Sequence, residues 1–408
     1  MHPYLRRRAS GETVEYPNDE IREVLHKTLG VPLFQEQAMK LAIVAAGFTP
    51  GEADQLRRAM AGWRRPGEIE QFHQRLIAGM KEKGLSDQFA ETVFRQIRGF
   101  GEYGFPESHA TSFALIAYVS AWLKFHYPAA FCVALLNSQP MGFYGTAQLV
   151  RNAQEHCVDV QPVDVNYSRW DCTLEGNAIR LGLRMVVGLS QSQASRIEQQ
   201  QPFRSMDEFK GNVPASIVER LARADAFGSL KLNRRASLWQ ALLPATTKGV
   251  CPLFDGLYDG EAPIDLPVMD ARSEVFADYR TAGLSLKAHP VSFFRRELDQ
   301  LGVVPAAQLA ALQDGRFVRV AGLVLVRQRP GTAKGITFVT IEDETKEANL
   351  IIRMDVWEKF YSVARTAPAF IASGRLQNQQ GVIHVLVSRL ENMNERLNEL
   401  RSQSRDFQ

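Results

Sequence analysis

From residue 19 to about 137 the apolar positions recur every three or four residues: Ile21, Val24 and Leu25, then Ala38, Leu41, Ala42 and Ala45. That period predicts an all-α first third. Pro50-Gly51-Glu52 opens a segment over 53–61 that carries Arg57 and Arg58 side by side; Trp63-Arg64-Arg65 follows and Pro66 stops it, so a basic helix end is expected. Residues 112–126 are apolar almost all the way round, through Phe113, Leu115, Ile116, Tyr118, Val119, Trp122 and Leu123, which predicts a helix buried between others until Pro128. Between 160 and 183 the period shortens to alternation, with Gly176-Asn177 as the turn of a small hairpin. Helical spacing returns over 191–199, 206–210 and 215–224, and the stretch 244–267, rich in Pro, Gly and Asp, reads as a linker with a boundary near 250. After a helical lead-in over 268–312, five strands are expected at 317–326, 337–341, 348–352, 369–374 and 382–387, with a helix at 354–363 between the third and fourth. That order predicts a small Greek-key barrel of the oligonucleotide-binding type, the OB-fold. The polar tail after Asn392 reads as a helix with a frayed end.

Composition changes this picture little. With 408 residues, 45% hydrophobic and 23% charged, the chain is long enough for two or three cores and is neither disordered nor fibrous. Lys plus Arg number 48 against 45 Asp plus Glu, a net charge of +3, so any nucleic-acid role must come from local basic patches. The longest apolar run, about 111–123, is shorter than the roughly 20 residues a membrane span needs, and residues 1–8 are basic with no apolar core behind them. A cytoplasmic protein without membrane contact is expected. Cys132, Cys157, Cys172 and Cys251 lie far apart with no Cys-x-x-Cys spacing, which predicts neither a zinc site nor a disulfide framework.

Metal-assisted phosphoryl transfer needs converging carboxylates, and the sequence holds no Asp-x-Asp, no Gly-rich P-loop and no His-x-x-x-His. Glu342-Asp343-Glu344 falls at a strand end and is expected as a solvated turn. Ser108 and His109 are adjacent, so one does not readily serve as base for the other, and no Gly-x-Ser-x-Gly elbow is present. Nucleic-acid hardware is present instead. Residues 183–194 have the layout of a helix-hairpin-helix: an apolar first helix, a hairpin at Gly188-Leu189-Ser190, and a second helix from Gln191 whose first amides face outward. Such amides bind a phosphate oxygen regardless of base. The alternative is an ordinary αα-turn, because Ser190 stands where a second glycine is usual. In the barrel Arg319, Arg327, Arg329, Lys334, Arg353, Arg375 and Arg389 intersperse with Phe317, Phe338, Trp357 and Phe370. Cations that follow a backbone, with aromatic platforms, suit a single strand; the aromatics fit the core equally, whereas Arg327 and Arg329, beside the Pro330-Gly331 loop, are the expected strand contacts, with Lys334 close by.

Leu33-Phe34-Gln35-Glu36-Gln37-Ala38-Met39, the run 51–60, the run 101–110 (Gly-Glu-Tyr-Gly-Phe-Pro-Glu-Ser-His-Ala) and Trp122-Leu123-Lys124-Phe125-His126-Tyr127-Pro128 resemble the fingers of bacterial C-family (DnaE-type) polymerases. The variants Phe105-Pro106-Glu107-Ser108-His109, residues 136–144 and the ending Ser404-Arg405-Asp406-Phe407 resemble the error-prone, ImuC-like branch. The resemblance extends along essentially the whole chain. It implies fingers over 1–160, the small hairpin and helix-hairpin-helix over 161–245, a linker over 246–270, a helical lead-in over 271–312, the OB-fold over 313–392 and a polar tail over 393–408. It implies that Arg57 and Arg58 meet the triphosphate of an incoming deoxynucleotide, since guanidiniums match phosphate oxygens bidentately. His109 would lie by the sugar edge, with Gln35, Glu36 and Gln37 orienting that pocket, and Gly188, Ser190, Gln191, Arg327, Arg329 and Lys334 would hold DNA.

In that family a palm with three metal-binding aspartates precedes the segment from His2 to Arg8, so the Mg²⁺ of the full polymerase is not expected on this chain, and the chain alone should bind primer-template and single-stranded template without extending them. Cys251-Pro252-Leu253-Phe254 keeps the Leu-Phe of a clamp-binding peptide but lacks its Gln, which favours recruitment by an accessory translesion protein over direct sliding-clamp binding. The function implied is DNA-directed DNA synthesis across damage and in repair. The competing readings are a stand-alone, non-enzymatic DNA-binding protein using hairpin and barrel, and an RNA-binding barrel.

Overall fold

The computed structural model describes residues 3–61, 72–99, 106–142, 144–243, 266–331, 333, 335–379, 381–393 and 405–407. It divides into two compact units, 1–123 and 124–408.

The first unit is all-α, as the apolar period requires. Its helices are α1 (Pro3–Ser10), α2 (Asp19–Leu25), α3 (Gln35–Ala46), α4 (Pro50–Ala61), α5 (His73–Glu82), α6 (Asp87–Gly99) and α7 (Glu107–His126), the last crossing the division between units. Ile21, Leu25, Ala38, Leu41, Ala42, Ala45, Leu56, Met60, Leu76, Met80 and Ile97 form its core. Asn18 caps α2 by accepting from the Ile21 amide at 2.8 Å. Gly47, at φ +65°, ends α3, and the amides of Gly47 and Phe48 return to the carbonyls of Ile43 and Ala42. The expectation of burial fails at α7: none of its residues is buried, and Leu115, Tyr118 and Phe125 are 66%, 72% and 81% exposed. An all-round apolar sequence fixes how much surface wants cover but supplies no partner.

The second unit opens with α8 (Pro128–Asn137) and α9 (Thr146–Glu155). Cys132, Leu136, Val150 and Ala153 from these helices share one core with Ile179, Leu183, Ile197, Phe209, Leu221 and Phe227. The hairpin forms as read, β2 (Thr173–Glu175) against β3 (Ala178–Arg180), and β1 (Val160–Gln161) joins β3 in parallel. Gly176 takes φ +63° in the turn. Then follow α10 (Gln191–Glu198), α11 (Met206–Asn212), α12 (Ala215–Arg223) and α13 (Arg234–Leu242). The apolar segment expected as the first helix of the hairpin motif is a single 3₁₀ turn, Leu183–Met185. The proposed linker lies outside the described residues except for its last positions. Cys132 and Cys172 are buried free thiols, Cys157 is exposed, and burial pushes the Cys132 thiol up to about 11.

Beyond the linker come α14 (Ala271–Ala282) and α15 (Arg295–Gln300). Arg234, 1% exposed, donates to the Glu274 carbonyl and to the Asp278 carboxylate, which pins α13 to α14. The barrel strands are β4 (Phe317–Gln328), β5 (Thr337–Glu342), β6 (Glu347–Ile352), β7 (Ala369–Gln379) and β8 (Val382–Asn392), with α16 (Met354–Lys359) and α17 (Tyr361–Thr366) between β6 and β7. β4 is long enough to pair with β7 through Leu323 and with β5 from Leu323 to Gln328; the parallel pairing of β6 and β8 closes the ring. Five strands in the order β4-β5-β6-β8-β7 make the expected closed barrel. Its interior holds Val320, Val339, Ile341, Leu350, Phe370, Leu376, Val385 and Trp357, so Phe370 and Trp357 are core residues.

Two further expectations fail. Glu342-Asp343-Glu344 is not a solvated turn: Glu342 and Asp343 are 4% and 1% exposed. Arg151 from α9 donates to the Glu342 carboxylate and to the Asp343 carbonyl at 2.9 Å, while Arg295 from α15 pairs with Asp343 and Glu344. Three acids in a row look solvated only until two arginines distant in sequence are brought onto them. The chain's end also differs: Arg405–Phe407 forms a further strand, β9, parallel to β4.

Candidate nucleic-acid interface

The residues singled out by sequence fall into three groups. The first is in the finger helices. Arg57 and Arg58 follow Asp54 by three and four positions on α4, so all three share one helical face. Each guanidinium places two nitrogens on the Asp54 carboxylate, Arg57 at 2.9 Å and Arg58 at 3.0 and 2.8 Å. Those bonds, Arg57's foremost, hold the Asp54 carboxyl below the usual carboxylate range. Two adjacent cations are thereby kept in one orientation, with Arg58 73% exposed. Sequence reading passed over Asp54, although its spacing was the signal.

Gln35 and Gln37 are both buried. The Gln37 carboxamide is spent inside the fold: its oxygen accepts from the Leu33 and Phe34 amides and its nitrogen donates to the Val24 carbonyl and Thr28 Oγ1. It ties α2 to the start of α3 and has no capacity left for a ligand. Glu36 faces the other way and accepts from the Glu107 amide at 2.7 Å, which caps α7. Although burial raises it, the backbone bonds from Glu107 and Ser108 leave its carboxyl below the ordinary value. His109, exposed in the first turn of α7, lies with its ring 4.4 Å from that of Phe113. The stretches 62–71 and 100–105, which carry Trp63-Arg64-Arg65 and the start of the Gly-Glu-Tyr-Gly block, are outside the described residues.

The second group is the hairpin. Gly188 takes φ +79°, and a Cβ there would meet Arg220 Nη1 at 3.0 Å. Arg220, from α12, donates to the Gly188 carbonyl and pins the loop. Ser190 and Gln193 form a capping box around the start of α10. That engages the Ser190 hydroxyl on the Gln193 amide, so the groups a phosphate can reach are the amides of exposed Gln191 and Ser192, which have no intrahelical acceptor. The Val187 amide donates to the Thr281 carbonyl of α14 at 2.8 Å. Val275 and Phe276 of α14 in turn pack with Ala321, Leu323 and Ile371 of the barrel. Replacing Ser190 with alanine should lower stability by about 1 kcal/mol, the worth of a helix cap, read as a shifted urea midpoint; an unshifted midpoint would show that the cap carries nothing.

The third group is in the barrel. Arg329 is exposed at the end of β4, whereas Arg327 is 6% exposed. Arg327 donates through Nε to the Ala364 carbonyl at 2.8 Å and through Nη2 to the Ala367 carbonyl at 2.5 Å. It is chiefly a clamp on the loop between α17 and β7, which its position next to Arg329 could not reveal. Its Nη1 lies 3.4 Å from Asp406 Oδ1. Lys334 is outside the described residues. No group of three His, Cys, Asp or Glu among the described residues could hold a metal ion, so the donor set for Mg²⁺ is not met there. No helix of the described residues is long and apolar enough to cross a membrane.

These features correspond to known proteins. Residues 1–84 match the bacterial DNA polymerase III alpha subunit finger domain, and 157–237 match the helix-hairpin-helix motif. The chain is 54% identical over its full length to an error-prone DNA polymerase of Rhodopirellula baltica, covering 37% of that protein. It is 49% identical over its full length to one of Sinorhizobium medicae and 48% identical to one of Methylococcus capsulatus, covering 40% and 41% of them. The chain thus carries a DnaE-type finger domain, a helix-hairpin-helix and a barrel, and is similar throughout to part of the error-prone DNA polymerases. It spans about two fifths of the length of these curated relatives.

Proposed function

We propose that this chain is the part of an error-prone DNA polymerase that grips the incoming nucleotide and the DNA during synthesis across damage. The observation that carries the reading is the paired guanidinium fork on α4 in a chain that also presents a capped hairpin and a closed barrel. The triphosphate of a deoxynucleotide meets Arg57 and Arg58, whose remaining N–H groups point away from Asp54, and His109 at the start of α7 lies by the sugar. Gln37, Gln35 and Glu36 act through position: the first two set the entry to α3, and Glu36 fixes the start of α7. The amides of Gln191 and Ser192 take a duplex phosphate, and Arg329 follows the single strand.

DNA, both primer-template and single-stranded template, is the partner. The reading also includes cytoplasmic action and recruitment by an accessory translesion protein. Chemistry at the primer end belongs to carboxylates that the described residues do not supply. The chain should therefore bind a fluorescent deoxynucleoside triphosphate, and Arg57→Ala with Arg58→Ala together should weaken that binding at least about tenfold, as expected for lost charge-assisted phosphate bonds. Unchanged affinity in the double variant would remove the fork from the site. Primer extension with Mg²⁺ and all four deoxynucleotides should give no product from this chain, and incorporation above background would overturn its assignment as a binding part alone.

A further inference from the structure

The β7 ladder on β4 ends at Leu323, the Val324 amide still donates to the Pro368 carbonyl, and over Val326, Arg327 and Gln328 the edge is taken instead by β9, in the register Arg327 opposite Asp406. The Asp406 carboxylate and Arg327 thus meet on the wall of a cavity of about 390 Å³ that Arg329, Thr337, Tyr361 and Arg365 also line. That size lies in the range of small-ligand sites, about 300–1,000 Å³. Three guanidiniums line it against one carboxylate, which pairs with Arg327, and this leaves an excess of positive charge. Tyr361 is 47% exposed, and the Arg365 guanidinium lies over its ring, 5.5 Å from the centroid. Thr337 is 1% exposed, and its Oγ1 has no hydrogen-bond partner among the described residues; an unmet buried hydroxyl is costly. Asp406 itself is half-exposed and held by a strand of only three residues.

We propose that this cavity is the seat of one nucleotide of a single strand, that Asp406 stands in the place of its phosphate, and that β9 is displaced when the strand binds. The base stacks against Tyr361, the phosphate takes Arg329, Arg365 and the Nη1 edge of Arg327, and Thr337 offers its hydroxyl to the base or sugar. This rests on the barrel being a strand-binding site and adds that the chain's own end competes for it. Beside the pairing of β9 with β4 over Val326, Arg327 and Gln328, the half-exposed ion pair contributes up to about a fivefold factor to the docking of β9, and that is the factor which removing the Asp406 charge returns to the apparent affinity.

The test uses the 408-residue chain, a form ending at Ser404 and the Asp406→Asn variant, each titrated against fluorescein-labelled oligo(dT) at fixed salt. Asp406→Asn should bind up to about fivefold more tightly than the parent, and the shortened form, which also loses the strand pairing with β4, at least as tightly as that variant. Arg365→Ala should cancel that gain, and oligo(dT) should speed release of the C-terminal residues by carboxypeptidase. Equal affinity of the parent and the shortened form would overturn the proposal. If Arg329→Ala still weakens binding in that case, the barrel remains a strand site and only the competition falls. If Arg329→Ala and Arg365→Ala leave every form unchanged, the strand does not sit on the barrel and both fall.

Discussion

Replacing Gly79 with alanine should unfold the finger unit or leave it destabilised by at least about 3 kcal/mol, at the upper end of overpacking costs. Gly79 lies where α5 crosses the end of α3, and a Cβ there would fall 2.0 Å from the Ala46 carbonyl oxygen. The obstacle is backbone, and it belongs to the turn that Gly47 closes, so neither helix can yield without opening the core of Leu41, Leu76 and Met80. The same substitution at Gly51, in the first turn of α4, meets nothing within 4 Å. There it should stabilise by about 0.5–1 kcal/mol, because alanine restricts the unfolded chain and favours helix. Opposite signs from one chemical change, read by thermal melting followed by circular dichroism, check the packing of these helices; equal effects would refute it.

Acid should weaken the second unit before its carboxylates titrate, through His289. This residue caps the 3₁₀ turn Pro290–Phe294 by accepting the Val291 amide on Nδ1, and its Nε2 has no partner among the described residues. Burial, with the Arg151 and Arg295 cations beside it and against the pull of Asp343, lowers its pKa to about 3. Above pH 6.5 the ring is neutral folded or unfolded. As pH falls below that value the unfolded ring takes a proton that the native ring refuses. Native stability therefore drops by about 2 kcal/mol by pH 5. Protonation of Nδ1 would also break the cap. His289→Asn keeps an acceptor for the Val291 amide and removes the titration, so it should abolish the loss between pH 7.5 and 5 in urea unfolding. The Glu347 carboxyl, pushed up by partial desolvation and by Glu342, acts in the opposite direction in both proteins and drops out of the comparison. An equal loss in the variant would place the acid sensitivity elsewhere.

What the sequence allowed to be read follows from how local each feature is. The finger helices, the hairpin at Gly176-Asn177 and all five barrel strands were legible because a period of 3.6 or 2 is written into neighbouring residues. The Arg57–Arg58 fork was visible as a dipeptide, and Asp54 could have been found by counting three and four positions back. Features made by distant residues were not legible. The buried turn at Asp343 needs Arg151 and Arg295, nearly two hundred and about fifty residues away. Arg327 and Arg329 are two apart and look alike in sequence, yet the first faces carbonyls at Ala364 and Ala367 while the second faces solvent. α7 carries the composition of a core helix without a core around it. The tail's return to β4 is encoded only by the free edge it fills.

The claim on which the account turns is that this chain holds DNA by its phosphates through hairpin and barrel. The most direct test is the affinity for a labelled primer-template with a single-stranded overhang, measured across a salt series. The logarithm of affinity should fall linearly with the logarithm of salt concentration, and Arg329→Ala should reduce the slope by about one. Gly188→Ala, which strains the hairpin at φ +79°, should weaken binding as well. Affinity that is independent of salt, or no binding even at low salt, would contradict the account.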